Sequence, residues 1–276
     1  MRKFPVFVAA GADRVAAVVT APEEQPPRGV VLLLSGTGRH IAIGSTLSAR
    51  LSERLAGEGL ASVRLDYAGS GDSPGLVARW DPAEIAATTA QARAALDVAR
   101  EALDVKPFAE VGTCYGSRIA LSLVEDPSCT GAVCLAPPIL DVGGLGRMSR
   151  GVRDGRVGAL VRSNATLRRV LAPARRLLGA RTPARRVAGA FAHLDRARLV
   201  FLYGARNAHE DHYSGRAQKS IDAAVAGLSA DERSRFELKM IAGGPLTTFD
   251  GLPPEEQEEI VDIVVPFVTS FFETTG

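Results

Sequence analysis

The chain has 276 residues, of which 46% are hydrophobic, and 33 basic side chains stand against 31 acidic ones. That apolar content excludes a disordered chain, and the balanced charge argues against a general nucleic-acid binder. The length suits one large α/β domain with an insertion. Three cysteines are too few for a disulfide framework. No apolar run reaches the roughly 18 residues of a membrane span. The N-terminus has a basic start, but its apolar stretch ends too soon for a signal peptide. A cytoplasmic protein is the expectation.

Strands and helices alternate along the chain. Phe4–Ala10 and Arg14–Thr20 read as a hairpin around Gly11-Ala12-Asp13. Gly29–Leu34 is a continuous apolar run, as in a strand buried on both faces. Leu47, Leu51 and Leu55 give Ser45–Gly59 helical spacing, and Ala61–Asp66 reads as the next strand. The Ala-rich stretch Pro82–Leu103 is a helix with Asp81 as its N-cap. Phe108–Gly112 (strand), Tyr115–Val124 (helix) and Gly131–Ala136 (strand) follow. Arg198–Tyr203 and Phe236–Ile241 are the last strands, and Glu255–Phe272 closes the chain as an amphipathic helix. Such alternation predicts a mostly parallel sheet with helices on both faces.

The stretch between the strands at Gly131–Ala136 and Arg198–Tyr203 is too long for a simple crossover. Between Arg147 and Arg186 it holds 12 Arg, no Lys and a single acid, Asp154, with Leu160, Leu167, Val170, Leu171, Leu177 and Leu178 near helical spacing. It reads as a helical cap over 141–195, inserted after the sixth strand into a core formed by 1–140 and 196–276. A solvated amphipathic helix pair is the plainer reading of its arginines. A cluster so one-sided favours an anionic ligand or partner.

The most informative stretch is Phe108-Ala-Glu-Val-Gly112-Thr-Cys114-Tyr-Gly116, a strand followed by G-x-C-x-G and then a helix. A turn this tight forces its central residue into a strained conformation, and the residues two before and two after it must be small. Cys114 then stands at the carboxyl end of the sheet and at a helix N-terminus, which favours a thiolate. The competing reading is a small buried thiol without chemistry. Cys134 lies inside a predicted strand and Cys129 just before it, and structure is the better reading for both.

With this motif the sequence resembles the α/β-hydrolase family, with Cys in the elbow where Ser is usual. Two further stretches carry the resemblance: Val30-Val-Leu-Leu-Leu-Ser35-Gly36-Thr37-Gly38-Arg39-His40, and Val63-Arg-Leu-Asp66-Tyr67-Ala-Gly69-Ser-Gly71-Asp72-Ser73-Pro-Gly75. The resemblance implies an oxyanion hole from the backbone N–H groups of Thr37 and Tyr115, and substrate contacts at Ser35, Gly36, Tyr67 and Leu246. Within the family a Cys elbow is similar to dienelactone hydrolases and to hydrolase-fold tailoring proteins of biosynthetic clusters.

Two positions depart from the family pattern. The acid expected after Arg198–Tyr203 is Asn207, with Glu210, Asp211 and Asp141 as alternatives. The histidine expected after the last strand is Thr247, or Leu246 with a slip of one residue, and no His occurs after His212. Asn can orient a base but cannot stabilise an imidazolium by charge. His40, His209 and His212 are candidates for a relocated base, each alone read more simply as a surface loop residue. His193 reads as surface or core.

A serine without a base would be nearly inert, whereas a few per cent of a cysteine is already thiolate at neutral pH. The pattern therefore points away from efficient hydrolysis. It points to an acyl-transfer enzyme of thioesterase, esterase, acyltransferase or cyclase type, with Cys114 as nucleophile on an ester or thioester and a noncanonical triad, the acyl group being carried on a small molecule, coenzyme A or a carrier protein. The alternative is a noncatalytic hydrolase-fold protein that binds a ligand or partner. No ligand spacing for a metal and no phosphate-cradling G-K-[ST] ending is present, so neither a metal nor a cofactor is expected.

Overall fold

The structure is a computed structural model and describes residues 1–36, 45–75, 82–138, 189–205, 215–242 and 252–273. Among these, eight strands form one sheet in the order β1-β2-β4-β3-β5-β6-β7-β8. They are β1 (Arg2–Ala10), β2 (Asp13–Ala21), β3 (Val30–Leu34), β4 (Ala61–Leu65), β5 (Phe108–Thr113), β6 (Cys129–Leu135), β7 (Arg198–Gly204) and β8 (Phe236–Ile241). The pairs β1–β2 and β2–β4 are antiparallel, and every pair from β4 to β8 is parallel. The helices are α1 (Thr46–Gly57), α2 (Pro82–Leu103), α3 (Tyr115–Leu123), α4 (Gly215–Ala226), α5 (Ala230–Ser234) and α6 (Pro254–Ser270).

Composition explains the layers. All five residues of β3, Val-Val-Leu-Leu-Leu, are buried, as the central strand of a sheet covered on both faces requires. Each such side chain contributes about 1.5–3 kcal/mol by leaving water. Two glycines locate the faces. A Cβ at Gly112 would lie 2.6 Å from the Cα of Ser117 in α3. One at Gly131, whose register partner in β5 is Ala109, would lie 2.8 Å from the Phe271 ring beyond α6. Residues 109 and 112 point to opposite sides of β5, so α3 and α6 cover opposite faces. α1 joins α6 through Arg50 and Arg54 to Glu258, and Arg54 to Asp262.

The strands and helices predicted outside the cap are present among the described residues, most with ends moved by one or two residues. α4 and α5, between β7 and β8, have no counterpart in the sequence reading. α5 had a local signature: the Ser229 hydroxyl accepts from the Glu232 N–H while the Glu232 carboxylate accepts from the Ser229 N–H, a capping box. Residues 141–188 of the expected cap, and Asp81, lie outside the described residues. From the end of that stretch, Phe191 and Leu194 join the core, and Phe191 stacks 4.9 Å from the ring of Phe236. Arg196 then donates to the carbonyls of Val124, Glu125 and Asp126, satisfying the open C-terminal end of α3. No described helix is long and apolar enough to cross a membrane.

Candidate active site

The site is assembled where β3, β5 and β6 end. β5 runs straight into α3 with no loop between them, so one residue must make the whole turn. Cys114 makes it, at φ 49° and ψ −107°. This left-handed conformation costs a non-glycine residue on the order of 1–3 kcal/mol. Its neighbours have to be glycine because backbone meets backbone there. A Cβ on Gly116 would fall against the carbonyl oxygen of Leu34 and 2.7 Å from that of Ser35. Gly36, past the end of β3, brings its Cα beside Cys114: a Cβ there would lie 3.5 Å from the Cβ of Cys114.

Gly116→Ala is therefore expected to destabilise the protein by about 3 kcal/mol, the upper end for overpacking against atoms that cannot yield. In thermal unfolding that is a fall in Tm of roughly 6–12 °C. Gly57→Ala, where a Cβ meets nothing within 4 Å, should leave Tm unchanged or slightly raised. A Gly116→Ala protein with the parent's Tm would mean that the strand end and the elbow are not in contact.

The three cysteines differ in environment. Cys114 is 9% exposed, Cys129 is 2% and Cys134 is 0%. Burial pushes the thiols of Cys129 and Cys134 well up, and the nearby Glu110 carboxyl pushes them further. Both are core thiols, as the sequence reading has it. Cys114 is the one at a helix N-terminus.

The loop after β4 is stitched to β2. The Ser73 hydroxyl donates to Asp66 O at 2.5 Å and accepts from Ala16 N–H at 2.7 Å, while a carboxylate oxygen of Asp66 accepts from Asp72 N–H at 3.2 Å. Gly69, at φ 75°, allows the chain to double back so that its N–H reaches Pro74 O.

Of the residues expected at the site, the structure brings together Ser35, Gly36, Cys114 and Tyr115. The Ser35 hydroxyl is buried with no hydrogen-bond partner among the described residues. The rings of Tyr67 and Tyr115 belong to the core. The Tyr115 hydroxyl lies 3.5 Å from that of Thr88. Burial, followed by the neighbouring Tyr115 and Glu110, pushes the Tyr67 phenol up. Thr37, His40, Asn207, His209, Leu246 and Thr247 lie outside the described residues, as do Asp141, Glu210, Asp211 and His212. Half-buried His193 is removed from the elbow, in the turn before β7. Among the described residues no cluster of three or more His, Cys, Asp or Glu is placed to hold a metal ion.

Sequence reasoning missed Ser117, which sits fully buried in the first turn of α3. It also missed Ala136, which leaves β6 at φ 47°. Nothing in the local pattern marks either.

Comparison with known proteins agrees with this architecture. The α/β hydrolase GrgF of Penicillium sp. sh18 superposes with a TM-score of 0.66 at 14% identity, over 99% of each chain. An esterase of Pyrococcus furiosus gives 0.59 at 15% identity, covering 97% of this chain and 91% of its own. A dienelactone hydrolase of Anabaena variabilis gives 0.57 at 13% identity, covering 96% and 95%. At such identities the likeness carries the α/β-hydrolase fold alone. No curated protein matches the chain in sequence. One family does: serine aminopeptidase, S33, over residues 25–189, a span of more than half the chain that includes Ser35-Gly36-Thr37-Gly38, the elbow and α3. The chain thus belongs to the serine aminopeptidase S33 family of α/β hydrolases, with a cysteine at the centre of its elbow.

Proposed function

We propose that the protein is an acyl-transfer enzyme whose nucleophile is Cys114, acting on an ester or thioester. The observation that carries this reading is the left-handed backbone of Cys114 at the first turn of α3, flanked by glycines whose side chains would collide with the main chain. A buried structural thiol needs no such strain, and Cys129 and Cys134 sit in ordinary strand.

The chemistry follows from the thiol. The positive end of α3 favours the thiolate. The thiolate attacks the carbonyl carbon, forming an S–C bond. The carbonyl oxygen takes the negative charge under the N–H groups of Tyr115 and Thr37. Collapse re-forms the C=O bond and expels the alcohol or thiol, which leaves with the bonding pair and takes up a proton. An acceptor then takes the acyl group from sulfur. With Thr247 in the place of the family histidine, water is a poor acceptor, because general-base help is worth about 100- to 10,000-fold. A thiol, an amine or a group within the substrate is the better one. The part of the expected cap over 141–188 would form a lid over this site, and its arginines would suit the phosphates of coenzyme A or of a carrier-protein arm. Asn207, His40 and His209 are the positions from which a proton could be handled, and Ser35, Gly36, Tyr67 and Leu246 would line the substrate.

The test is thiol labelling combined with intact mass. Iodoacetamide should modify Cys114 stoichiometrically and faster than a free peptide thiol at pH 7. An acyl thioester should add one acyl group to the protein, persisting until a small thiol or amine is supplied. Labelling at the free-thiol rate, with no acyl adduct from any ester or thioester in a panel, would overturn the reading. A noncatalytic binding protein would then be the better account, as the missing histidine already allows.

A further inference from the structure

Serines in the described helices use their hydroxyls in two ways. Ser52 donates to Ser48 O and Ser122 to Arg118 O, each four residues back and within its own helix. Such bonds serve the helix itself. Ser117 differs. Its Oγ reaches out of α3, five residues back, to Gly112 O at 2.7 Å in β5, with Leu135 O of β6 at 3.4 Å as a second acceptor.

The acceptors matter because of what else they hold. Leu135 O receives the Cys114 N–H at 2.8 Å, and Cys114 O receives the Ser117 N–H at 3.1 Å. The next residue, Ala136, is itself left-handed, and its N–H is tied to Leu202 O at 2.8 Å. The end of β5, the first turn of α3 and the end of β6 therefore close on each other around Cys114. Alanine would fill the same buried space on α3 at no desolvation cost, so packing alone gives no reason for a hydroxyl there.

We infer that Ser117 is a positioning residue for the Cys114 site: its hydroxyl closes the Gly112–Ser117 turn and so fixes where the Tyr115 N–H points. This rests on the acyl-transfer reading for its kinetic consequence, and on the geometry alone for its structural one. The two site functions separate. Alkylation by iodoacetamide needs only a reachable thiolate. Acylation by a thioester also needs the Tyr115 N–H in line with the developing oxyanion.

Ser117→Ala should therefore lower kcat for acyl transfer by about 10- to 100-fold, the range expected of a misplaced oxyanion donor. KM should stay within about twofold and iodoacetamide labelling within about threefold, because neither depends on that amide reaching the oxyanion. Deuterium uptake over residues 112–120 should rise. Ser117→Thr, which keeps the hydroxyl, should recover most of the lost kcat. Thr130→Ala is the matched control. Its hydroxyl donates to Phe108 O at 3.0 Å, at the far end of the same strand pair, so its loss should lower Tm without touching kcat or uptake at 112–120. Equal kcat and equal uptake in Ser117→Ala and Thr130→Ala would overturn the inference and leave the acyl-transfer reading standing. If the parent protein forms no acyl adduct, the acyl-transfer reading falls and uptake alone decides: faster exchange at 112–120 in Ser117→Ala supports the positioning role, and unchanged exchange overturns it.

Discussion

Cys114→Ser should lower the rate of acyl-enzyme formation by about 1,000-fold or more, while Tm moves little. The size follows from the acid–base chemistry of the two nucleophiles. A few per cent of a cysteine is thiolate at pH 7, whereas a serine hydroxyl needs a base in the transition state, worth about 100- to 10,000-fold. On the sequence reading, which puts Thr247 in the histidine slot, such a base is expected to be missing, so the smaller and more usual nucleophile should be the worse one here. Cys114→Ala should form no acyl-enzyme at all and should fold as the parent does, since the left-handed backbone is imposed by the flanking glycines and by Leu135 O rather than by sulfur. The check is the rate of acyl-adduct formation on a thioester, with thermal unfolding run in parallel. A Cys114→Ser enzyme within tenfold of the parent would mean that a general base stands within reach of position 114, and the base-free account of this site would be wrong.

The second large effect concerns Glu110, which lies four residues before Cys114 on the α3 face of β5. It is 0% exposed, and both carboxyl oxygens lack a hydrogen-bond partner among the described residues. Burial pushes its pKa well up, the Arg93 guanidinium pulls it down and Asp126 pushes it up again. Arg93 helps little because it is already paired with Asp126 at 2.7 Å. Burial raises the Asp126 carboxyl as well, but the Ser128 N–H and Arg93 outweigh this and hold it low. Burial without a partner thus favours the neutral form of Glu110 in the folded protein.

A raised native pKa means that the folded chain keeps a proton the unfolded chain has released above about pH 4.3. Stability from this group is complete below that point. It is lost as pH rises through the native pKa, at about 1.4 kcal/mol per unit. Glu110→Gln removes the titration. Parent and variant should be closest in stability near pH 4 to 5, and the variant should gain on the parent as pH rises from there toward the native pKa. Glu110→Met, which also removes both unpartnered oxygens, should be the more stable protein throughout that range. Urea midpoints from pH 5 to 8 provide the measurement. A parent–Gln difference that does not change with pH would show that Glu110 is ionised in the folded state, or that its charge is fully compensated.

Local pattern was sufficient for most of this molecule. The five apolar residues of β3, the alternation of strand and helix and the G-x-C-x-G turn are all short-range signals, since burial on two faces, helical spacing and a glycine-flanked bend are written within a few residues. The same holds for the glycines of the loop after β4. α5 was legible too, through Ser229 and Glu232, but is so short that its apolar periodicity carries no signal.

Other features had no local mark because they depend on which segments meet. Sequence order does not say that β4 lies between β2 and β3, yet that placement brings Ser73 under Ala16 and fixes the loop beyond Asp66. The glutamate in Phe-Ala-Glu-Val reads as an ordinary polar interruption of a strand. Its isolation comes from α3 closing over that face of β5, with α2 packed beside α3. A serine at position 117 looks like any helix residue until Gly112 and Leu135 are placed around it. Backbone bends are set by neighbours in the chain, whereas burial without a partner, and a hydroxyl bridging two strands, are set by neighbours in space.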